Sequence, residues 1–194
     1  MYLDEIIFRA LNHAGSDSFL DLTMVFFTAL GAWYILLLAA PVLWWRKQRE
    51  LGFDVVVLLI VASLAVEGLK LLIARDRPYA ILADVHMLQW GFITDPGGYS
   101  MPSGHTTLAF AVATLIALGT KVRWGAVAYM LAALIGLSRV YLGVHWPSDV
   151  LTGALLGILL ALVMQWVRSH DNTYAGARDK VVVWLRNLER RWDP

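Results

Sequence analysis

The chain has 194 residues, of which 59% are hydrophobic and only 16% are charged, and its formal net charge is +1. Soluble domains average about 45–50% apolar and about 25% charged residues, so this composition excludes an ordinary soluble domain and indicates one membrane-embedded domain, 1–194. The lack of cysteine excludes disulfides, thiolate metal sites and cysteine nucleophiles. The sequence has no basic stripe long enough to predict a nucleic-acid partner.

The N-terminal half contains one predicted surface helix and two predicted spans. Residues 3–14 place apolar side chains at helical spacing with charged side chains opposite, which predicts an amphipathic helix at the membrane surface. We predict a first span over about 20–45, because most of this stretch is uncharged and a helix of that length exceeds the roughly 30 Å of bilayer hydrocarbon. A second span over about 52–75 should end before Pro78, which disfavours helix at the preceding residue.

The C-terminal half contains three more predicted spans. A loop over 79–101 precedes them, and the spans lie over about 103–119, 124–139 and 147–168. A second amphipathic helix is predicted over 181–192. The sequence therefore predicts an all-α fold: a polytopic bundle of about five to six transmembrane helices, with amphipathic surface helices at both termini.

The distribution of lysine and arginine predicts the orientation of the bundle. Eleven of the 16 lie in the first connection, in the third connection, or from Arg168 at the end of the fifth span through the tail. Cytoplasmic segments carry the excess of basic residues, so we expect the tail, 169–194, in the cytoplasm. The connections on the other side then face the outside, and the cations that remain there require a separate explanation.

Three clusters of polar residues lie where the predicted spans reach the outer face. In chain order their residues are Lys70, Arg77 and Pro78; Pro102, Ser103, Gly104 and His105; and Ser138, Arg139, His145 and Asp149. Together they bring three cations, a helix N-terminus, two histidines and a carboxylate to one membrane face. Lys70 and Arg77 are seven residues apart, so on a continuous helix they would share one face.

Each of these parts suits phosphoryl transfer. The three cations can neutralise a phosphate, and the N–H groups of Ser103 and Gly104 at a helix start favour an anion. A neutral imidazole at His145 can attack phosphorus, and Asp149, four residues on, can hold the other ring nitrogen. His105 can protonate the leaving oxygen and afterwards activate water.

These motifs resemble those of the type 2 phosphatidic acid phosphatase superfamily, which includes lipid phosphate phosphatases, glucose-6-phosphatase and the vanadium haloperoxidases. The resemblance covers about residues 20–168, and the short chain looks most like the bacterial undecaprenyl diphosphate phosphatases. It implies His145 as the nucleophile, Asp149 as its orienting residue and His105 as the general acid. The phosphate-binding residues that it implies are Lys70, Arg77, Ser103, Gly104 and Arg139. It also implies a reaction without a metal ion or another cofactor.

Residues beside the first motif have less specific interpretations. Glu67 precedes Lys70 by one turn inside a span; it either orients Lys70 and tunes its charge or forms a structural pair with a polar neighbour. Arg75 and Asp76 occupy variable positions of the motif, and a local surface ion pair is favoured over a role in binding.

Four other features outside the motifs are also open to two interpretations. His13 and His86 are predicted to be surface histidines, with substrate contact as the alternative for His86. Four residues of the long loop either line a lipid access path or belong to an interfacial aromatic belt: Trp90, Phe92, Tyr99 and Met101. Gly153 and Gly157 form a small-residue face, for which packing within the bundle is favoured over dimerisation.

Three hypotheses for the function follow from these observations. The first is an outer-face phosphatase of undecaprenyl diphosphate, or a similar polyprenyl diphosphate, acting through a phosphohistidine in carrier-lipid recycling for the cell wall. The second keeps the chemistry but changes the lipid to phosphatidylglycerophosphate, phosphatidate or a lipid A phosphate. The third, a lipid transporter without enzymatic activity, is disfavoured because the charges gather at one surface and no internal repeat is evident.

Overall fold

A computed structural model of the chain describes residues 2–14, 18–88 and 98–192, the side chains of 190–192 excepted. Within these ranges the regular secondary structure is entirely helical, and ten helices succeed one another. They are α1 (Tyr2–Asn12), α2 (Ser18–Leu30), α3 (Trp33–Leu36), α4 (Ala39–Trp45), α5 (Arg49–Ile73), α6 (Pro78–Ile81), α7 (Gly104–Gly119), α8 (Val122–Tyr141), α9 (Pro147–His170) and α10 (Asn172–Trp192). The all-α prediction is confirmed.

Helix length and composition identify the candidate membrane spans. The segment Arg49–Ile81 and helices α8 and α9 are each long and apolar enough to cross a membrane, and the bent pair formed by α2 with α3–α4 makes a fourth candidate. Helix α7 is apolar but has only 16 residues. The chain is therefore a multi-pass membrane protein, while the count of five to six spans stays a prediction because it requires α7 to cross as well.

The predicted first span over 20–45 is not one helix, and this part of the prediction is wrong. Helix α2 ends at Leu30, and the chain bends by 62° before it continues as α3 and α4. The bend follows Gly31, where a Cβ atom would lie 2.5 Å from Ile135 Cγ2 and 3.1 Å from His105 Cδ2. Only glycine allows the backbone to approach two other helices so closely.

Helix α7 is the centre of the bundle, with α5, α8 and α9 packed around it. Its contact with α9 depends on two glycines of α9. A Cβ atom at Gly153 would lie 2.8 Å from the Ser103 carbonyl oxygen, and one at Gly157 would overlap the Thr107 carbonyl oxygen. The interpretation of these glycines as packing residues within the bundle is confirmed.

The outward faces of the long helices are apolar. Leu64 and Leu72 of α5 are 70% and 82% exposed, and Leu151 and Leu155 of α9 are 66% and 69% exposed. Exposed leucines in such numbers are stable only against hydrocarbon, so these faces contact lipid in the membrane.

The amphipathic helix predicted at the N-terminus forms as α1, and its polar side faces the protein. Asn12 is buried, and its Nδ2 atom donates to the carbonyl oxygens of His86 (2.8 Å) and Tyr141 (2.7 Å). Leu3 and Ile6 are exposed on the other side. Helix α1 is therefore bonded to the bundle through polar groups, in addition to the buried Phe8, and presents several apolar side chains to the surroundings.

Helix α10 begins at Asn172, nine residues before the surface helix that the sequence predicts. The Asp171 carboxylate accepts from the backbone N–H groups of Thr173 (2.7 Å) and Tyr174 (3.1 Å), which stabilises the early start. The Tyr174 hydroxyl then donates to Asp54 of α5 at 2.6 Å. The C-terminal helix is thus attached to the bundle by a buried polar contact.

Candidate active site

The predicted site residues meet at one end of the bundle, where α5 and α8 end and α7 and α9 begin; we call this the active-site end. The chain reverses direction between successive long helices, which brings these four termini together. The positions are Lys70 in the last turn of α5, Arg77 before α6, Ser103, Gly104 and His105 at the start of α7, Arg139 in the last turn of α8, His145 between α8 and α9, and Asp149 in the first turn of α9.

His145 is fully buried in the short connection between α8 and α9. Its backbone N–H donates to the Arg139 carbonyl oxygen (3.2 Å), and the turn before it contains Gly143 with a positive φ of 76°. The Nε2 atom lies 3.3 Å from Arg77 Nη1, and Nδ1 lies 3.5 Å from Asp149 Oδ2. A guanidinium can only donate, so Nε2 carries the lone pair and the proton is on Nδ1, facing Asp149.

The surroundings of His145 also favour its neutral form. Burial lowers the pKa of the imidazole well below its ordinary value, and the positive charges of Arg77, Arg139 and Lys70 lower this pKa further. A neutral imidazole with an unprotonated Nε2 is the form that a nucleophilic histidine needs.

The two arginines of the motifs are buried and held in place by the backbone and a hydroxyl. Arg77 donates to the carbonyl oxygens of Gly98 (2.9 Å), Val144 (2.9 Å) and Tyr99 (3.1 Å). Arg139 donates to the Thr28 hydroxyl of α2. Neutral acceptors fix a guanidinium without cancelling its charge, so both arginines can still attract an anion.

The prediction that Lys70 and Arg77 share one helix face is wrong. Helix α5 ends at Ile73, and Ala74 adopts a left-handed conformation with φ 50°, so Arg77 lies on an extended segment beyond the helix. The positive charges of both residues nevertheless act on the same imidazole, that of His145.

The start of α7 differs in detail from the expected anion site. The Ser103 N–H donates to the Asp149 backbone carbonyl at 3.1 Å, so this group is not available to a phosphate. The Ser103 hydroxyl accepts from Thr106 at 2.9 Å and keeps its own hydrogen to donate. A Cβ atom at Gly104 would meet only Val66 Cγ1, at 3.5 Å, so the space beside this backbone is open.

A cavity of about 430 Å³ adjoins the start of α7 and reaches the bend between α2 and α3. Lys70, Gly104 and His105 line its polar side, and Trp33 and Leu108 are among its apolar walls. The Lys70 ammonium donates to Glu67 at 2.8 Å. His105 also interacts electrostatically with His145 and with the three cations of the motifs. The cavity thus places two of the predicted site residues, Lys70 and His105, beside apolar side chains.

Arg75 is the residue that sequence reasoning misjudged. The expected surface pair with Asp76 is wrong: Arg75 donates to Asp149 Oδ1 at 2.7 Å and to Asp4 Oδ2 at 2.6 Å. One feature of the sequence indicates a role for Arg75. It is a basic residue at the predicted outer face, where the positive-inside rule does not account for basic residues.

The predictions for the two histidines outside the motifs and for the aromatic residues of the long loop hold only in part. His13 is exposed, whereas His86 is partly buried and bonds to Asp21 Oδ1 at 3.0 Å through its Nε2 atom. Tyr99 is partly exposed and its carbonyl oxygen accepts from Arg77. Trp90 and Phe92 lie outside the described residues. An aromatic residue that lines the cavity is Trp33. It was not identified from the sequence, because it lies inside a predicted span.

Comparison with known proteins agrees with the motifs. The model of the PAP2 superfamily matches residues 51–172. The chain is 35% identical to the Bacitracin transport permease protein BcrC of Bacillus licheniformis, over 82% of this chain and 77% of that protein. It is 30% identical to an undecaprenyl-diphosphatase of Sulfolobus acidocaldarius, over 84% and 77% of the two chains.

A solved structure shows the same arrangement of helices. The transmembrane PAP2 type phosphatidylglycerolphosphate phosphatase from Bacillus subtilis superposes with a TM-score of 0.72 at 28% identity, over 88% of this chain and 87% of that one. Motifs, fold and relatives agree, and the resemblance inferred from the motifs is confirmed. The chain therefore belongs to the PAP2 superfamily and is a membrane-embedded phosphatase.

Proposed function

We propose that this enzyme removes phosphate from undecaprenyl diphosphate, or from a similar polyprenyl diphosphate, through a phosphohistidine at His145. The observation that supports this mechanism best is the position of the His145 ring between Arg77 and Asp149. Its Nε2 lone pair faces Arg77, while its Nδ1–H faces the buried Asp149 carboxylate. A nucleophile, its orienting group and a phosphate-binding cation are thus aligned on one imidazole ring.

In the first step, the terminal phosphate of the substrate replaces His145 as the acceptor for Arg77. His145 Nε2 attacks phosphorus, a P–N bond forms, and the P–O bond to the rest of the lipid breaks. Asp149 stabilises the imidazolium that results, and the cations Lys70, Arg77 and Arg139 offset the charge on the equatorial oxygens.

His105 supplies the proton for the leaving oxygen, because it lines the cavity that the lipid side of the substrate would occupy. In the second step, the same imidazole takes a proton from water, which attacks phosphorus and breaks the P–N bond. Inorganic phosphate leaves, and His145 returns to its neutral form. This sequence balances without a metal ion, and metal independence is part of the proposal.

The shape of the cavity supports a lipid substrate. Its polar side carries Lys70 and His105, and its apolar walls include Trp33, which is 61% exposed, at the bend between α2 and α3. A headgroup can therefore reach the cations while its hydrocarbon chain stays among apolar side chains. We propose that the lipid enters from the side of the bundle.

The orientation is part of the proposal. Most lysines and arginines lie at the end opposite the active-site end, which by the positive-inside rule is cytoplasmic. The active site then faces the outside of the plasma or inner membrane. Because the chain lacks cysteine, single cysteines at the exposed positions Ala83 and Lys180 can test this with an impermeant maleimide. In intact cells we expect the maleimide to label Ala83→Cys and not Lys180→Cys. Labelling of Lys180→Cys alone would mean that the orientation is the opposite of the one proposed.

The identity of the lipid rests on the relatives. A match to an undecaprenyl-diphosphatase over most of both chains favours the polyprenyl substrate. The superposition on a phosphatidylglycerolphosphate phosphatase supports a glycerophospholipid phosphate as the second candidate. The transporter hypothesis has less support, since the charged groups surround two imidazoles at one end of the bundle rather than its middle.

The decisive experiment is phosphate release by purified protein in detergent with EDTA present. Undecaprenyl diphosphate, phosphatidylglycerophosphate and phosphatidate are compared at equal surface concentration. His145→Ala should lower turnover by at least about 1,000-fold. His170→Ala, a matched control on an exposed histidine at the other end of the bundle, should not change it.

Rapid quenching followed by mass spectrometry should find one phosphoryl group on the peptide that contains His145. Preference for a glycerophospholipid would replace the substrate and keep the mechanism. Normal turnover by His145→Ala would refute the mechanism, and sensitivity to EDTA would refute metal independence.

A further inference from the structure

Arg75 contacts the buried carboxylate on which the proposed mechanism depends. Its Nη1 atom donates to Asp149 Oδ1 at 2.7 Å and to the Ser148 hydroxyl at 2.6 Å. The guanidinium is mostly buried, with 22% of the side chain exposed, and it lies 5.2 Å from the centre of the Trp146 ring. Arg75 thus contacts the start of α9 through Trp146, Ser148 and Asp149.

The two oxygens of Asp149 have different partners. Oδ1 accepts from Arg75, while Oδ2 accepts from the Trp146 backbone N–H at 2.9 Å and faces His145 Nδ1 at 3.5 Å. Rotation of the carboxylate would break the bond to Arg75. The ion pair therefore fixes which oxygen faces the imidazole, and the positive charge of Arg75 favours the ionised form of this carboxylate against the effect of burial.

Arg75 is itself held by the N-terminal helix. Its Nη2 atom donates to Asp4 Oδ2 at 2.6 Å, and Asp4 Oδ1 accepts from the Ser148 backbone N–H at 2.9 Å. Burial alone would raise the pKa of Asp4, but hydrogen bonds from Ser148 and Arg75 outweigh it and leave the pKa below its ordinary value. Asp4 is therefore an anion at neutral pH.

The contact between α1 and the active-site end also has an apolar part. Phe8 of α1 is buried and its ring packs against Trp146 at a centroid distance of 5.2 Å. Trp146 lies directly between His145 and the first turn of α9. Polar and apolar contacts therefore join the N-terminal helix to the segment that carries both His145 and Asp149.

We propose that Arg75 is a positioning residue that acts through Asp149 on His145, and that Asp4 of α1 holds Arg75 for this role. The inference rests on the proposed function, in which His145 is the nucleophile. It extends that function to a chain of polar contacts, Asp4–Arg75–Asp149–His145, that makes the N-terminal amphipathic helix part of the catalytic apparatus.

The kinetic test compares Arg75→Gln, Arg75→Lys and Asp4→Asn with Arg9→Gln. Arg9 is the matched control, because it lies on α1 and pairs with Glu5 (2.9 Å) and Asp84 (2.7 Å), away from Asp149. We expect Arg75→Gln to lower kcat by about 30- to 100-fold with KM within about threefold, since no bond to the substrate is lost. Arg75→Lys should recover part of kcat, and Asp4→Asn should lower it by about three- to tenfold.

A double mutant shows whether Asp4 acts on catalysis through Arg75 or independently of it. If Asp4 acts through Arg75, then Asp4→Asn should have little further effect on kcat in the Arg75→Gln protein. Full multiplication of the two single effects would overturn the role of Asp4. A kcat within about twofold of wild type for Arg75→Gln would overturn the proposal as a whole.

A second readout does not depend on turnover. In protein labelled with ¹⁵N-histidine, with His145→Ala used for assignment, wild type should show the Nδ1–H tautomer of His145, and Arg75→Gln should shift this signal while Arg9→Gln does not. A fall in kcat with an unchanged His145 signal would mean that Arg75 only stabilises the fold, and would overturn the positioning role. A shifted signal in a protein that hydrolyses none of the lipids would support this geometry and refute the proposed function instead.

Discussion

The two ends of the bundle both bury charged groups but use them differently. At the end opposite the active-site end, the buried Asp54 accepts from Tyr174 and lies 3.3 Å from Arg168 Nε, so a carboxylate is neutralised by the helices that it holds together. At the active-site end, Arg77 donates to backbone carbonyls and faces the imidazole of His145. Charge balanced within the protein stabilises packing, whereas a guanidinium that faces the proposed nucleophile can serve an anionic ligand.

Replacing each buried aspartate by asparagine should separate these two roles most clearly. Asp149→Asn removes the charge that stabilises the imidazolium and holds the tautomer, so kcat should fall by about 10²- to 10⁴-fold. Asp54→Asn removes the carboxylate beside Arg168 and Arg178, whose nitrogens lie 3.3 and 3.8 Å from it, so thermal stability should fall while the kcat of folded protein stays within about twofold. Turnover and thermal unfolding in the same detergent measure both effects.

The opposite pattern would break the comparison. A large loss of kcat in folded Asp54→Asn would show that the C-terminal helix influences catalysis over the length of the bundle. Near-normal turnover by Asp149→Asn would show that His145 needs no carboxylate to stabilise its charged form.

The site residues could be predicted from the sequence because they occupy helix ends that the topology must bring together. The position of Arg75 could not. It follows Ala74, whose left-handed conformation turns the chain after α5 although alanine gives no local signal for such a turn. The bend after Gly31 could not be predicted either. The uncharged stretch around it predicts one continuous span, whereas the bend depends on side chains of α7 and α8 that are distant in sequence. Tertiary contacts therefore determine both the position of Arg75 and the bend after Gly31.

Two glycines offer a second test, one beside the substrate cavity and one inside the helix packing. A Cβ atom at Gly104 meets only Val66 Cγ1 at 3.5 Å, so Gly104→Ala should fold normally but occupy space that the phosphate needs. We expect kcat/KM to fall by about 10- to 100-fold with an unchanged melting temperature.

Gly157→Ala is the matched change, because its Cβ atom would overlap the Thr107 carbonyl oxygen in the contact between α7 and α9. It should destabilise the fold by about 1–3 kcal/mol, with the activity of the folded fraction largely kept. Unchanged kcat/KM in Gly104→Ala would mean that the phosphate binds away from the start of α7.

The pH dependence should report the burial of the nucleophile. Burial and the nearby cations lower the pKa of His145, so the neutral, reactive form persists at pH values where an ordinary histidine is protonated. An imidazole with a pKa of about 6.5 would lose about threefold of its neutral form between pH 7 and pH 6. For wild type we expect no loss of kcat/KM over this interval, since protonation of the general acid His105 can only add to the rate as the pH falls, and we expect the acid limb that His145 sets to lie lower. An acid limb centred at about 6.5 would show that water reaches His145.

The smallest expected effect concerns Glu67, whose carboxylate accepts from Lys70 at 2.8 Å and is 68% exposed. An exposed pair of this kind contributes only about 0–1 kcal/mol, so it cannot hold Lys70 rigidly, but its negative charge competes with the substrate phosphate for the ammonium. Glu67→Gln keeps an acceptor oxygen and removes that charge, so KM should fall by about two- to threefold with kcat little changed. Glu189→Gln, which alters a similar exposed pair with Arg49 at the other end, should leave KM unchanged. A rise in KM for Glu67→Gln would instead mean that the carboxylate orients Lys70 toward the phosphate, and that orientation outweighs the competition for charge.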